Sequence, residues 1–479
     1  MVLDADAAYL ALRTRDPRFD GRLFVGVTST GVYCRPVCRV RTPRRENCRF
    51  FPTREQAEAA SFRPCLKCRP EIAPGLSAMD SSATLAGTAA RWIEQAVHAG
   101  EAVRLPAIAA RLGVTDRHLR RIFIKAHGVP PRDFLATQRL LLAKQLLTDT
   151  AEPVAQVALA SGFDSLRRFN AAFAERYRMA PTRLRRQRDG GGSVAPTLRL
   201  AWRPPYDAEA MHRFFAQRAI DGVEEAGDGL ALRRTLAVTH RGRRLAGWIA
   251  WRWRPERDEV HLAVAPALAP ALGALIPRLR HALDLDADPA PIDAAMPWPA
   301  RTGNRLPGSI DGFETAARIV LGQQVSVKAA RTLTQRLVHA IGASIETPWP
   351  GLTHLFPDAA TIAAAAPAAL GALGIVRQRV GALQALASAV ADGRLTLTPD
   401  APLQPTLDAL RALPGIGEWT AQMIALRVLA WPDAFPATDI GVLNALGTRD
   451  PKLAAAQAEA WRPWRGYAVL QLWHHLETA

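Results

Sequence analysis

Five cysteines, Cys34, Cys38, Cys48, Cys65 and Cys68, fall inside one 35-residue stretch of this 479-residue chain, and the 411 residues after Cys68 contain none. The spacing is C-x3-C, then 26 residues, then C-x2-C. Two close thiol pairs brought together by a fold suit tetrahedral zinc. Disulfides are the competing explanation. The odd cysteine count, the lack of a secretory segment at the N-terminus and a chain long enough for ordinary cores weigh against them. The second stretch with chemical potential is Leu413, Pro414, Gly415, Ile416, Gly417, Glu418, Trp419, Thr420, Ala421, flanked by apolar helical periods. Its two glycines permit a tight hairpin whose backbone N–H groups face outward at a helix N-terminus, where they can hold a DNA phosphate without side-chain charge. Twenty residues past Trp419 stands Asp439.

The elements that position these residues must come from about three domains, on the prior of roughly 100 to 200 residues each. The formal charge of +17 is uneven: residues 1–190 carry 32 Lys+Arg against 18 Asp+Glu, and the remainder 29 against 26. The first 190 residues therefore have the composition of a polyanion binder, and nucleic acid is the expected partner, although arginine enrichment also has a compositional origin in GC-rich genomes. No apolar run reaches the roughly 20 residues that span a bilayer. A cytoplasmic protein with no membrane partner is expected.

Residues 73–84 and 187–196 lose periodicity and gather Pro, Gly and Ser, including Gly190, Gly191 and Gly192, and read as linkers. Between them the apolar residues recur at helical spacing, as in Ile108, Leu112, Leu119, Ile122 and Phe123. Gly113 ends one helix, and Thr115 or Asp116 caps the next. A second copy runs from Val154 to Ala160, turns at Ser161 and Gly162, and resumes from Ser165 to Arg176. Two helix-turn-helix units joined by a long apolar helix around residues 134–147 resemble the AraC-type DNA-binding domain over about residues 88–186. A helix-turn-helix lays its second helix in the major groove. Arg117, His118, Arg121, Ser165, Arg167, Arg168 and Asn170 are the candidate base contacts, each with a plain solvent or phosphate contact as its alternative. Arg183, Arg185, Arg186 and Arg188 read as phosphate contacts or linker charge.

Around the cysteines the text is T-G-V-Y-C-R-P-V-C-R-V-R, then R-E-N-C-R-F-F, then F-R-P-C-L-K-C-R-P. This resembles the N-terminal domain of the Ada methyl-transfer family. The resemblance implies that Cys34, Cys38, Cys65 and Cys68 ligate one Zn2+ and that Cys34 also accepts a methyl group from a methylphosphotriester of the DNA backbone. Zinc keeps a coordinated thiol deprotonated, and thiolate is the nucleophilic form. Arg35, Arg39, Arg41, Arg44, Arg45 and Arg49 would hold the backbone against it. Methylation would remove a negative charge and raise affinity for phosphates, an electrostatic switch toward transcriptional activation. An inert zinc clip is the alternative. Cys48 matches no ligand position and reads as a small buried residue.

From residue 196 to about 288 the pattern alternates, as in 197–202, 230–236 and 245–253, with helical stretches at 211–219 and 268–283. A small α+β unit is expected there. Helical periods alone run from Gly312 onward. Hairpin, following helix and Asp439 together resemble the helix-hairpin-helix DNA glycosylases, and residues 196–478 resemble the AlkA 3-methyladenine glycosylase II family, helped by R-P-P-Y-D near Tyr206 and W-R-P-W-R-G-Y near Trp464. That resemblance implies an ionised Asp439 beneath the sugar, where it stabilises the positive charge that develops as the base leaves. A helix N-cap is the alternative for Asp439, and both roles are compatible. Trp419 and Trp473 match base-pocket aromatics, whose faces attract cationic bases, with ordinary core tryptophans as the alternative. Met423 and His474 stand where relatives carry pocket tyrosines, and Ile440 replaces another beside the aspartate. Leu306 matches the wedge that fills the gap left by a flipped base, with plain core packing as the alternative. Gly415, Gly417 and Thr420 would contact DNA. Relatives that also cut the strand carry a lysine where this chain has Trp419, so a monofunctional hydrolase leaving an abasic site is implied. No cysteine quartet follows the hairpin, so no iron–sulfur cluster is expected.

The expected fold is multidomain and mainly α. It comprises a zinc-binding α/β module (1–74), an all-α tandem helix-turn-helix domain (85–188), an α+β subdomain (196–290) and an all-α helix-hairpin-helix domain (291–479). The expected function is bacterial, nucleoid-associated alkylation repair. It joins a glycosylase to a methylphosphotriester sensor that acts on double-stranded, alkylated and promoter DNA, with RNA polymerase as a further partner. The rival is a transcription factor whose C-terminal half binds DNA without catalysis.

Overall fold

A computed structural model describes residues 4–15, 19–38, 40–68, 70, 82–98, 103–149, 153–186, 197–240, 242–296 and 302–478. The chain forms two compact units. One comprises Met1–Gln145, Val154–Gln187 and Glu459–Pro463, and the other Leu146–Pro153, Arg188–Ala458 and Trp464–Ala479.

The first unit begins with α1 (Ala5–Thr14), capped by Asp4, whose carboxylate accepts the N–H groups of Asp6 and Ala7. A small sheet follows: β1 (Phe24–Val27), β2 (Val32–Cys34), β3 (Cys48–Phe51), then α2 (Arg54–Ala59) and β4 (Arg63–Pro64), in the order β3-β1-β2-β4. Phe24, Tyr33, Phe51, Ala57 and Phe62 form its core. Gly26 lets that core close, because a Cβ there would sit 2.9 Å from both the Phe51 and Phe62 rings. The parallel pairing of β2 with β4 matters most: it sets Tyr33 against Pro64, and the Cys65 N–H donates to the Tyr33 carbonyl at 2.9 Å. Cys34 and Cys65 therefore leave neighbouring strands side by side.

The helical part of this unit holds α3 (Ser82–His98), α4 (Leu105–Arg111), α5 (Asp116–His127), α6 (Pro131–Asp149) as far as Gln145, α7 (Val154–Ala160), α8 (Leu166–Tyr177) and α9 (Pro181–Arg186). Both expected helix-turn-helix copies are present. Thr115 caps α5 by accepting the His118 N–H at 3.2 Å, and Ser165 caps α8 by accepting the Arg168 N–H at 3.1 Å. Helix α3 begins at Ser82, inside the segment expected to be linker. The remainder of that linker, 73–81, lies outside the described residues, as do Arg39, Arg188 and the whole of 187–196.

The second unit opens with β5 (Thr197–Ala201), α10 (Ala208–Gln217), β6 (Glu224–Gly227), β7 (Ala231–His240), β8 (Arg243–Arg254) and β9 (Glu259–Val264), an antiparallel sheet of order β5-β9-β8-β7-β6. Strands β6 and β9 are additions to the expected set. The helix expected from residue 268 begins as a 3-10 stretch carrying Pro270, so α11 (Leu272–Ala282) starts later. Then come α12 (Pro289–Ala295), α13 (Gly312–Leu321), α14 (Val327–Ile341), α15 (Ala359–Ala364), α16 (Pro367–Ala372), α17 (Arg377–Ala391), α18 (Leu403–Arg411), α19 (Glu418–Arg427), α20 (Ile440–Ala445), α21 (Pro451–Ala458) and α22 (Arg465–Thr478). Sheet and helices are tied by a buried ion cluster. Glu224 on β6 accepts from Arg234 on β7 and Arg318 on α13, both at 2.9 Å, and Glu314 pairs with the same two arginines. No described helix is long and apolar enough to cross a membrane.

Candidate functional site

The sulfurs of Cys34, Cys38, Cys65 and Cys68 all lie within 4.8 Å of one another and all four residues are buried. Thiols this close compete for ionisation. Contact with Cys38 pushes Cys34 up and contact with Cys34 pushes Cys68 up, whereas contact with Cys34 pulls Cys38 and Cys65 down. A divalent cation among them stabilises the charged form of all four, so the donor set fits tetrahedral zinc. Cys48 stands apart, buried against Leu12 and Val25.

Arg35 does not face DNA. It is 1% exposed, its Nε donates to Asp20 Oδ1 at 2.7 Å, and its backbone N–H points at Cys68 Sγ, 3.4 Å away. Burying a guanidinium requires such a partner, so Arg35 braces the cysteine loop instead of reading phosphate. Arg45 pairs with Asp6 at 2.7 Å. Arg41, Arg44 and Arg49 are exposed, with Arg49 lying over the Phe51 and Phe62 rings.

On the two second helices, Arg117, Arg121, Arg167, Arg168 and Asn170 are exposed. His118 is half-buried with Nδ1 3.1 Å from Arg121 Nη2, and the Ser165 hydroxyl accepts at its cap. The Ser165 hydroxyl keeps its O–H free to donate, and His118 shares its contact with Arg121 at the same exposed face. Arg183 is exposed on α9, and the side chains of Arg185 and Arg186 lie outside the described set.

In the second unit, Asp439 caps α20, its Oδ1 accepting the Val442 N–H at 3.0 Å. The same Oδ1 accepts the Trp473 indole N–H and Oδ2 accepts that of Trp419, both at 2.9 Å. Two expected pocket aromatics thus hold the expected carboxylate. Gly441 makes this possible: a Cβ there would lie 2.9 Å from Trp473 Cδ1 and 3.1 Å from Asp439 Oδ1. Asp439, Trp419, Trp473, Met423 and Ile440 line one cleft of about 1430 Å³, together with Gly415, Gly417 and Arg427. Gly415 adopts φ 76°, and Gly417 is the N-cap of α19.

Two expected contacts, His474 and Leu306, move elsewhere, while Thr420 stays at the cleft with its hydroxyl engaged. His474 lines a smaller neighbouring cavity with Asp207, Asn304 and Arg305, and Phe214 and Trp473 line both. Leu306 is 6% exposed and does not line the cleft; its N–H is fixed by Asp284 at 3.0 Å. A buried leucine cannot act as a wedge. Thr420 is buried, and its hydroxyl accepts from Gln323 Nε2 at 2.9 Å, the same amide that reaches the Gly415 carbonyl at 3.0 Å. Gln323 thereby clamps the hairpin, a role its sequence position did not advertise. Its neighbour Gln324 is exposed at the cleft in a left-handed conformation, φ 53°, a strained state for a residue with a Cβ.

Family comparisons agree with this layout. Residues 7–71 match the metal binding domain of Ada, residues 108–187 a helix-turn-helix domain, residues 197–311 the AlkA N-terminal domain, and residues 317–457 the HhH-GPD superfamily of base excision DNA repair proteins. The DNA-3-methyladenine glycosylase 2 of Escherichia coli is 34% identical over 279 residues, covering 57% of this chain and 96% of that protein. The bifunctional transcriptional activator/DNA repair enzyme Ada of the same organism is 34% identical over 163 residues, covering 34% of this chain and 43% of that protein. A probable bifunctional transcriptional activator/DNA repair enzyme AlkA of Mycobacterium tuberculosis is 36% identical over 494 residues, spanning 99% of this chain and 97% of its own length. With all four domain models matched in order and a relative of that identity running nearly end to end, the chain belongs to the family of bifunctional AlkA-type transcriptional activators and DNA repair enzymes.

Proposed function

We propose that this protein is a monofunctional glycosylase of the DNA-3-methyladenine glycosylase II class, joined to a zinc-thiolate methyl acceptor and a promoter-reading domain that works with RNA polymerase. The observation that carries the glycosylase reading is the carboxylate of Asp439, fixed by two indole N–H donors and its own helix at the wall of a cleft beside the hairpin. The bond between the base and C1′ breaks and its electron pair leaves with the base. The sugar becomes cationic, and the Asp439 carboxylate lowers that state by electrostatics. Water then adds at C1′ and releases a proton, leaving an abasic site. Position 419 offers an indole and no amine, which supports hydrolysis without strand cleavage. The backbone N–H groups around Gly417 suit a phosphate of the lesion strand. Gln324 is the exposed, left-handed residue placed to enter the gap that the flipped base leaves, the role that Leu306 cannot take.

The Asp439→Asn variant tests this directly. Asparagine remains a good N-cap but its single oxygen cannot accept from both indoles, so a stability loss of about 1–3 kcal/mol is expected and activity is compared at a temperature where both proteins are folded. Single-turnover release of 3-methyladenine from duplex DNA is expected to fall on the order of 100-fold or more. Equal release by the variant would sink the assignment.

For the first unit, Cys34 Sγ attacks the methyl carbon of a phosphotriester: the S–C bond forms, the O–C bond breaks, and the phosphodiester leaves as its anion. Bound zinc keeps the thiol ionised. Backbone N–H groups of Val40, Cys68 and Arg35 reach Cys38, Cys65 and Cys68 respectively, drawing charge from those sulfurs, whereas the interactions on Cys34 are with the other thiols. This supports Cys34 as the nucleophile among the four, since hydrogen bonds to a thiolate reduce its nucleophilicity. Mass spectrometry after exposure to methylated DNA is expected to find one added methyl, on the Cys34 peptide; a methyl on another ligand, or none, would count against it. Arg117, Arg121, Arg167, Arg168 and Asn170 are the proposed base and phosphate contacts of the promoter-reading domain.

A further inference from the structure

The cleft that holds Asp439 has a charged wall that base release, as described, does not use. Along α19, Trp419, Met423 and Arg427 recur every fourth residue, and all three line the cleft. That spacing puts them on one helix face, with Arg427 about 12 Å along the axis from Trp419. Arg427 Nε donates to the Pro307 carbonyl and its Nη2 to the Gly308 carbonyl at 3.4 Å. Its guanidinium lies 4.8 Å from the Phe214 ring centroid, and Arg218 lies over the same ring at 3.8 Å. The nearby carboxylates are committed elsewhere, since Glu224 and Glu314 both pair with Arg234 and Arg318. Arg427 has no ion-pair partner among the described residues. Burial, then the proximity of Arg218 and Arg318, pulls it down to about 9, as expected for a cation in a wall where arginines outnumber acids.

We infer that Arg427 is a specificity-determining residue of this cleft. Its guanidinium opposes the preference for cationic bases set by Trp419, Trp473 and Asp439, and shifts selection toward neutral bases that present a carbonyl oxygen or ring lone pair. This rests on the glycosylase reading. The positive charge that develops on the sugar is common to all substrates, so the ratio of rates for a cationic and a neutral base isolates the charge of the base itself.

Single-turnover release of 7-methylguanine, a cationic base in DNA, and of hypoxanthine, a neutral one with a carbonyl, is compared in matched duplexes for the wild type, Arg427→Gln and Arg427→Lys. The 7-methylguanine to hypoxanthine ratio is expected to rise about tenfold in Arg427→Gln, the scale of one charge at roughly 10 Å with an effective dielectric near 20. Arg427→Lys should keep it within about twofold of wild type. A parallel fall of both rates with an unchanged ratio would mean that Arg427 only braces residues 307–308, and would overturn the inference. So would a wild type that releases 7-methylguanine but no hypoxanthine. If Arg427→Gln fails to fold by circular dichroism, Arg218→Gln removes the other guanidinium on Phe214; a smaller rise is expected, and an unchanged ratio overturns the inference. Release of neither base by the wild type would fell the glycosylase reading instead.

Discussion

At the scale of single residues, the metal-type cysteine spacing is legible in the sequence from residue type and interval, whereas Asp439 and the two tryptophans are legible only through the resemblance to the helix-hairpin-helix glycosylases. Arg35, Leu306 and His474 are not, because composition does not say on which side of a wall a side chain falls. Arg35 is drawn inward by Asp20, 15 positions earlier in the chain, a pairing made by the fold and by no sequence period. His281 gives a prediction of the same kind. Burial pushes its imidazole down to about 4 from an ordinary value near 6.5. The neutral ring is therefore the form the fold favours. Its contribution is fully present above about pH 6.5 and is lost as pH falls through 4, about 2 kcal/mol once partial exposure is allowed for. Chemical denaturation at pH 7 and pH 4.5 should show that loss in wild type and a smaller one in His281→Gln; equal losses would refute it.

At the scale of elements, both helix-turn-helix copies can be read from their periods, their caps and Gly113 and Gly162, and the observed ends fall within a few residues of expectation. Strand β9 escapes such a reading although Val260, Leu262 and Val264 alternate inward, because six residues between two longer signals carry little weight. Strand β6, Glu-Glu-Ala-Gly, has no apolar alternation to read; its glutamates serve the ion pairs with Arg233, Arg234 and Arg318. In the hairpin the two glycines do different work. A Cβ on Gly415 would meet the Ala382 Cβ at 2.7 Å in a left-handed backbone, whereas one on Gly417 meets nothing within 4 Å. Gly415→Ala should therefore destabilise the fold by about 1–3 kcal/mol. Gly417→Ala should melt close to wild type yet bind duplex DNA several-fold more weakly, because its methyl intrudes where a phosphate approaches. Melting curves and binding isotherms separate the two, and a weakly folding Gly417→Ala would contradict this account.

At the scale of the whole molecule, the charge asymmetry and the confinement of cysteine to residues 34–68 point to a chain of separable parts, and the cleft residues all lie in the second compact unit. Removing zinc with a chelator should release the metal and loosen the cysteine module, since metal binding there is coupled to folding. Base release should stay within about twofold of the untreated protein, measured on the same sample; a proportional loss of both would argue against the separation. The quartet's placement in the first unit also fixes how the two chemistries count events. On the proposed methyl transfer, the thioether formed on Cys34 could be reversed only by expelling a thiolate, a poor leaving group, so each chain would record one transfer and then be spent in that respect, while the cleft around Asp439 would be regenerated with every base it releases. Under that proposal one polypeptide would carry a single-use tally of backbone damage as well as a site that continues to turn over, and the ratio of tallied to untallied chains would report past exposure independently of how much repair is still under way.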